Sequence, residues 1–470
     1  VFELSIIRKY LVPQKKQLSM ALIASMSVGV IALVVWLVVV FLSVTEGIER
    51  SWLEKLTALN APLKITPTRA YFSSYYYLVD TISERSGYSY KSIGEKSVAP
   101  LTDPHDPEID ATPPSHWPEP SGVDPVKAAF AILQQEKGVV AQDFEISAAM
   151  LRLNLQKTQT FLTQVSYIAS FADQSPYVHS LVLEGSELGG DGIFLAKSFQ
   201  DHGVKVGDTG YLAYQAATPS SVQEQRIFVK VAGFYDAGVM SVGNKIVLAP
   251  SSIVHTISTA SQLEHFDKTQ SSGIQVWFPQ AQEAGKVKAR LQAAFEKAGI
   301  SPYWKIATYH EYDFAKDLLQ QFQSDKYLFT LIGVIILIVA CCNIISLLMI
   351  LVNDKKKEIG ILQAMGTSSR SIALIFGGCG VAIGFASSLI GVVAAILTLH
   401  NLDSLVHALS FLQGHDAFNA AFYGKSLPNT LSHNALLFVF IATPVISLLA
   451  GVAPALKASR LRPSEILRSE

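Results

Sequence analysis

Four histidines, His400, His407, His415 and His433, fall within one short stretch that also holds Asp403 and Asp416. Imidazoles and carboxylates at that density could bind a metal ion or respond to pH. A second pair, His105 and His116, stands among aspartates in DPHDPEIDATPPSHWPEP. Neither group is read as a metal site, because the spacing of the second fits no recognised ligand pattern and a solvated loop explains it better. Nucleotide chemistry fares no better. Gly424-Lys425-Ser426 looks like the tail of a Walker A loop, but the required earlier glycine would be position 419, which is Asn. GxSxG, HExxH and paired CxxC motifs are absent. No catalytic, cofactor or metal residues are therefore assigned, and the chain is not read as an enzyme.

The residue types point instead to the reception of force. Asn353–Arg370 reads NDKKKEIGILQAMGTSSR, a basic, half-apolar loop between two long uncharged segments. Lys355–Met365 is predicted to form a short amphipathic helix. Ile359, Ile361, Leu362 and Met365 supply apolar knobs, while Lys355, Lys356, Lys357 and Glu358 keep its start solvated. Gly366 fits the helix stop, and Thr367, Ser368 or Ser369 can cap the next helix. The plain alternative is a surface helix resting at the lipid headgroups.

The elements that must hold this loop are apolar. Half the residues are hydrophobic and 16% are charged, against a soluble average of roughly 25%. Leu18–Val44, Leu328–Val352, Ser371–Leu399 and Asn434–Leu456 carry no charge. Each exceeds the roughly 20 residues that cross a bilayer core as helix. Lys and Arg cluster in the N-terminal tail, the 353–370 loop and the C-terminal tail, whereas His400–His433 holds only Lys425. By the positive-inside rule, both termini and the 353–370 loop are cytoplasmic, and the 400–433 and 45–327 segments lie on the other side. The first span reads as an uncleaved anchor rather than a signal peptide. The chain opens on Val1, which suggests an unusual start or a missing residue. The three cysteines, Cys341, Cys342 and Cys379, all fall in spans, so the exported domain has no disulfide and must bury its own core. The net charge of −1 gives no sign of nucleic-acid binding.

The parts of the chain divide as 1–17, span 18–44, exported 45–327, span 328–352, loop 353–370, span 371–399, loop 400–433, span 434–456 and tail 457–470. Glu3–Leu11 carries an apolar stripe that could lie along the membrane surface. Thr45–Leu59 is predicted to continue the first span as helix. The Tyr- and Pro-rich stretch 68–125 is read as an irregular insertion or flexible flap, because dense proline opposes helix and central strand. The rest of the exported segment has α+β character. Helices are expected over Pro125–Glu136, Ile193–His202 and Ala281–Ala298. Strands are expected over Tyr177–Leu183, Arg226–Phe234, Ile246–Leu248, Gly273–Phe278 and Trp304–Thr308, with another following the turn at Gly207-Asp208. Glu311–Lys326 is predicted to be a helix feeding into the second span. Within the membrane, Gly380 and Gly384 form a small-xxx-small pair for close helix packing. Asn343 is expected to hydrogen-bond a neighbouring helix, and Pro444 to kink the fourth span. The spans contain no Asp, Glu, Lys or Arg, so ion-coupled transport is disfavoured and energy must come from elsewhere.

NIISLLMILVNDKKKEIGILQAMGTSSRSIALIF resembles the signature of FtsX-like ABC permeases, the type that includes MacB, FtsX and the lipoprotein-releasing LolC/LolE subunits. PALKASRLRPSEILR is similar to that family's C-terminal motif. FELSIIRKYL with SVTEGIERSWLEKLTALNAPLKI resembles the Lol members in particular, and VKVGDTGYLAY followed by IFVKVAGFYDAG looks like the exported-domain pattern of MacB and Lol proteins. The resemblance spans most of the chain outside about 68–125, where this sequence departs from the family. It implies a membrane protein with four transmembrane α-helices and a large α+β periplasmic domain between the first and second, in the bacterial inner membrane. It further implies a permease subunit that releases lipoproteins to a periplasmic carrier. A cytoplasmic ABC ATPase subunit would hold ATP and Mg, and a second permease copy or paralogue would complete the transporter. Lys357, Glu358, Ile359, Ile361, Leu362, Gln363, Met365 and Gly366 would couple to the ATPase. Val34, Leu37, Val38 and Phe41 would contribute to a lipid-chain pocket. The alternatives are a MacB-like export permease acting by mechanotransmission and an FtsX-like signalling subunit that activates a cell-wall hydrolase. The length of the exported segment disfavours the second of these.

Overall fold

The computed structural model describes residues 18–120, 122–155, 160–173, 175–185, 189–217, 221–236, 245–260, 268–415 and 430–459. The apolar stripe at Glu3–Leu11, Asp416 and the Gly424–Ser426 tripeptide lie outside these residues. The chain divides into two compact units. One runs up to Ser51 and resumes at Gln320, and the other is Trp52–Leu319.

The first unit is helical. Among the described residues, four helices are long and apolar enough to cross a membrane: Ser25–Asn60, Ala315–Asp354, Arg370–His400 and His433–Lys457. They make this a membrane protein. Their shared core includes Ile31, Val35, Leu348, Val352, Phe376 and Val439. Between the second and third spans lies the helix Lys356–Ala364. A further helix, Leu402–Gln413, follows the third span in a stretch expected to be loop. The last helix continues through Pro444 and Pro454 without a break, since neighbouring groups in a packed membrane helix can satisfy the freed carbonyls.

The described residues of the second unit form ten strands: β1 (Leu63–Pro67), β2 (Val140–Leu155), β3 (Thr160–Ser170), β4 (Val182–Gly185), β5 (Gly192–Ala196), β6 (Thr209–Ala217), β7 (Val222–Tyr235), β8 (Ile246–Ala249), β9 (Ser272–Trp277) and β10 (Trp304–Thr308). β2 belongs to two layers. Its first part, Val140–Glu145, pairs antiparallel with β9, extending the small sheet in which β1 lies between β9 and β10. Its second part pairs with both β3 and β6. From there the pairing runs β3 to β8, β8 to β5, β5 to β7 and β7 to β6, which returns to β2 and closes a six-stranded ring. Closure leaves this ring without free edges. Leu151, Ile168, Leu195, Leu212, Val231 and Val247 fill its core. β4 adds to the outside of β7.

The sequence expectations fail here in three places. Tyr177–Leu183 is not a continuous strand. Pro176 opens a short helix, Pro176–His179, at the position where its missing N–H is harmless, and β4 begins only at Val182. Ile193–His202 is divided, with Ile193–Ala196 belonging to β5 and helix confined to Ser198–Asp201. All five residues of β5 are buried, and such a run has no periodicity to separate strand from helix. The 68–125 stretch is neither irregular throughout nor a loose flap. It contains helices at Arg69–Phe72, Tyr75–Leu78 and Ile93–Val98. Tyr71 stacks on Trp304 with centroids 5.4 Å apart, and the buried Asp80 and Lys96 form an ion pair. The aspartates of the Pro-rich run cap backbone groups. Asp110 accepts from the N–H of Glu84 and of Asp106, both at 2.8 Å, which holds its carboxyl below the usual range.

The first long helix ends at Asn60, where Ala61 takes a positive φ of 60° before Pro62. Trp277 Nε1 donates to Ala58 O at 2.9 Å and Tyr312 Oη to Ala61 O at 3.0 Å, so this helix end is clamped. Lys64 is buried beside it, its ammonium 5.0 Å from the ring centroids of Phe144 and Tyr312. Burial pushes its pKa down to about 8.

Candidate docking site and helix packing

The second span ends at Asp354, and Lys355 leaves helical geometry for a single residue. Its N–H still donates to Leu351 O at 3.0 Å, and its ammonium pairs with Glu358 at 2.8 Å. Helix Lys356–Ala364 therefore starts with no slack. At its other end Gly366 adopts φ +95°, a left-handed stop that glycine takes without strain. Gly366 N–H donates to Gln363 O at 3.0 Å and Thr367 N–H to Leu362 O at 3.1 Å, so carbonyls of the last turn keep partners. Ser368 then caps the third span by accepting from Ser371 N–H at 3.2 Å. The loop is thus a stiff helical link rather than a slack connector.

The apolar knobs of this link divide between two faces. Ile359 is 1% exposed and belongs to the span core with Val352 and Phe376. Leu362 and Gln363 are half-buried, and Gln363 Oε1 is buried with no hydrogen-bond partner among the described residues. Ile361 is 50% and Met365 79% exposed, and Lys357 and Gly366 are exposed with them. Glu358 is partly covered. One face of the link therefore meets the spans and the other is presented outward. The sequence did not separate these faces, because the spacing of knobs on so short a helix leaves either side free to be core.

The small residues mark where the spans touch. A Cβ on Gly380 would stand 2.8 Å from Ser447 O, and one on Gly384 would stand 2.6 Å from Ser447 Cβ, so both glycines seat the fourth span. Gly391 seats the first span, where a Cβ would stand 2.5 Å from Ala32 O. Ser27 Oγ donates to Asn343 Oδ1 at 3.3 Å, joining the first and second spans, and Trp36 Nε1 donates to Thr398 Oγ1 at 2.8 Å, joining the first and third. Ser447, Trp36 and Thr398 were not singled out from sequence. Small-residue spacing signals a packing face, but only the fold names its partner.

Residues 330–463 match the family described as FtsX-like permease C-terminal. The chain carries an FtsX-like permease domain. It is 31% identical over 137 residues to the lipoprotein-releasing system transmembrane protein LolE of Haemophilus influenzae, covering 29% of this chain and 33% of that protein. It is 30% identical over 154 residues to LolC of the same organism, covering 33% and 36%. To LolC of Neisseria meningitidis it is 25% identical over 254 residues, covering 54% and 58%. The chain thus spans about a third of the length of the first two relatives and somewhat over half of the third. The helix Lys356–Ala364 and the glycines that seat the fourth span lie inside the permease domain, while the first span and the strand unit lie outside the matched residues.

Of the four first-span residues assigned to a lipid pocket, Val34 and Val38 are buried against the permease domain. A Cβ on Gly333 would stand 3.4 Å from Val38 Cγ2, so Val38 faces the second span. Leu37 is half-buried, and Phe41 is 48% exposed with its ring 5.6 Å from that of Phe329. Met26 and Leu33 are more exposed than Phe41 among the described residues of that span. At the far end of the spans, Ser432 N–H donates to Ser43 Oγ at 3.1 Å, and Ser432 Oγ and Asn434 Nδ2 both donate to the Glu46 carboxylate.

In the strand unit, Phe161, Val165 and Phe228 are exposed on the outside of the ring. Arg152 lies 4.5 Å from the Phe161 ring centroid and donates to Tyr211 Oη at 3.1 Å, and Arg226 lies 4.8 Å from the Tyr211 ring. Aromatic and guanidinium groups at this density are typical of protein contact surfaces. His255 lies 3.1 Å from Glu145 and 3.7 Å from Glu95 of the inserted stretch, and its hydrogen bond to Glu145 raises its pKa. Among the described residues no group of three or more His, Cys, Asp or Glu could hold a metal ion.

Proposed function

We propose that this chain is the permease subunit of an ATP-driven transporter that releases lipoproteins from the inner membrane to a periplasmic carrier. The observation that carries the reading is the two-faced link Lys356–Ala364 within the FtsX-like domain. Lys357, Ile361 and Met365 would meet a cytoplasmic ABC ATPase, which would hold the ATP and Mg. Ile359, Leu362 and Gln363 would pass its motion into the second and third spans, with Glu358 and Gly366 setting the ends of the lever. A rigid link suits this role, because force delivered at Met365 cannot be absorbed by slack.

The lipoprotein cargo rests on the similarity to LolC and LolE, which are named for lipoprotein release. In this reading the strand unit is periplasmic, both termini are cytoplasmic, and the Arg152–Phe161–Tyr211 face of the ring is the surface offered to the carrier. A second copy or a paralogue would complete the pathway, with Phe41 and Leu37 lining the side open to lipid chains. The test is depletion of the protein followed by membrane fractionation. Outer-membrane lipoproteins should accumulate in the inner membrane, and normal sorting after depletion would overturn the cargo assignment.

A further inference from the structure

We propose that the helix Leu402–Gln413 is a membrane-surface helix, its apolar side set into the lipid leaflet reached by the end of the third span. It has twelve residues and begins one residue after the third span ends at His400. Asn401 N–H donates to Leu397 O and Thr398 O, and Asn401 O accepts from Leu405 N–H at 3.1 Å, so the two helices share one residue as hinge and cap. At 100° per residue, Leu405, Leu409 and Leu412 fall on one arc, and Asp403, His407 and Ser410 fall on the opposite side. Leu405 is 53%, Leu409 38% and Leu412 81% exposed. An apolar arc of this kind in water would be a standing liability.

The level of the helix identifies what covers that arc. The first and third spans run parallel, since Gly391 packs at Ala32 and Val35, and Thr398 meets Trp36 further along both helices. Asn401 is three residues beyond Thr398, while Glu46, the first acidic residue of the first span's helix, is ten beyond Trp36. At 1.5 Å per residue, the surface helix starts about 10 Å short of the level of Glu46. That is still alongside apolar side chains, at the depth where an amphipathic helix lies in the headgroup and acyl boundary. The inference requires only that the four helices span a membrane, and it is independent of the cargo.

The test is a nitroxide scan of the full chain in vesicles of phosphatidylethanolamine and phosphatidylglycerol. Cys341, Cys342 and Cys379 are first replaced, and single cysteines are introduced as Asp403→Cys, Leu405→Cys, His407→Cys, Leu409→Cys, Ser410→Cys and Leu412→Cys. The ratio of collision with oxygen to collision with a water-soluble nickel chelate should be several-fold higher at 405, 409 and 412 than at 403, 407 and 410. Equal access of nickel to all six sites would overturn the proposal. So would exclusion of both reagents from the three leucine positions, which would mean that protein, a second copy or another part of this chain, covers the arc.

Discussion

Replacing Met365 with aspartate should separate the proposed docking of an ATPase subunit from folding. Fully burying a side chain of this size contributes about 1.5–3 kcal/mol. Met365 is 79% and Ile361 50% exposed, so contact with a partner could still bury most of the first and half of the second. The corresponding contributions are about 1–2 kcal/mol each. Since 1.4 kcal/mol is tenfold in affinity, Met365→Asp should weaken binding of the ATPase subunit by roughly 5- to 30-fold, and the Met365→Asp/Ile361→Asp double variant by about 30-fold or more. The thermal midpoint of the permease should hardly move, because neither side chain supports the span core. Ile359→Asp is the contrasting variant. At 1% exposure it would place an unpaired carboxylate among Val352, Ile372 and Phe376, and it should lower the midpoint and the folded yield. The assay is titration of the permease in nanodiscs with labelled ATPase subunit, read by anisotropy and by stimulated ATP hydrolysis, beside a melting curve for each variant. Unchanged affinity and stimulation in the double variant would refute the outward face as the docking face.

The glycines give a graded prediction. Gly391→Ala drives a methyl to 2.5 Å from the Ala32 carbonyl, whereas Gly377→Ala meets only Leu448 Cδ1 at an ordinary 3.8 Å. The first should cost about 1–3 kcal/mol and the second little, so melting in detergent should rank Gly391→Ala well below Gly377→Ala, and equal midpoints would contradict the packing. His255 predicts a pH dependence. Its pKa is raised chiefly by Glu145, with Glu95 adding and Lys91 opposing. The stability it contributes is therefore full below its ordinary value of about 6.5 and lost as pH rises through the raised folded value. Proteolytic cleavage within 69–124 should accelerate from pH 6 to pH 8 in the native protein, and His255→Gln should remove that dependence.

The membrane helices and the link between the second and third spans were legible in the sequence because their signals are local. Twenty or more uncharged residues must find lipid or core wherever they lie, and Gly366 and Ser368 act on the turns that contain them. The glycine pair was legible as a packing face for the same reason. The strand unit was read less well. β2 and β3, its longest pair, were not foreseen, and β5 was taken for helix, because a strand's character depends on neighbours distant in the chain. The Tyr- and Pro-rich insertion was misread because its order comes from Tyr71 against Trp304 and from Asp80 with Lys96, contacts that composition does not encode.

By itself, then, the sequence determined how many times this chain is greasy enough to cross a bilayer, where its basic loops fall, and that one of them is a short capped helix. Hydrophobicity, charge and capping are properties of residues and their near neighbours, so they survive without a fold. Tertiary structure alone decided that β2 closes a ring through β6, that Gly391 faces the first span while Gly384 faces the fourth, and that Ile359 points in while Met365 points out. Those are relations between surfaces brought together across the chain, and their energies come from close packing, which exists only once the partner is in place.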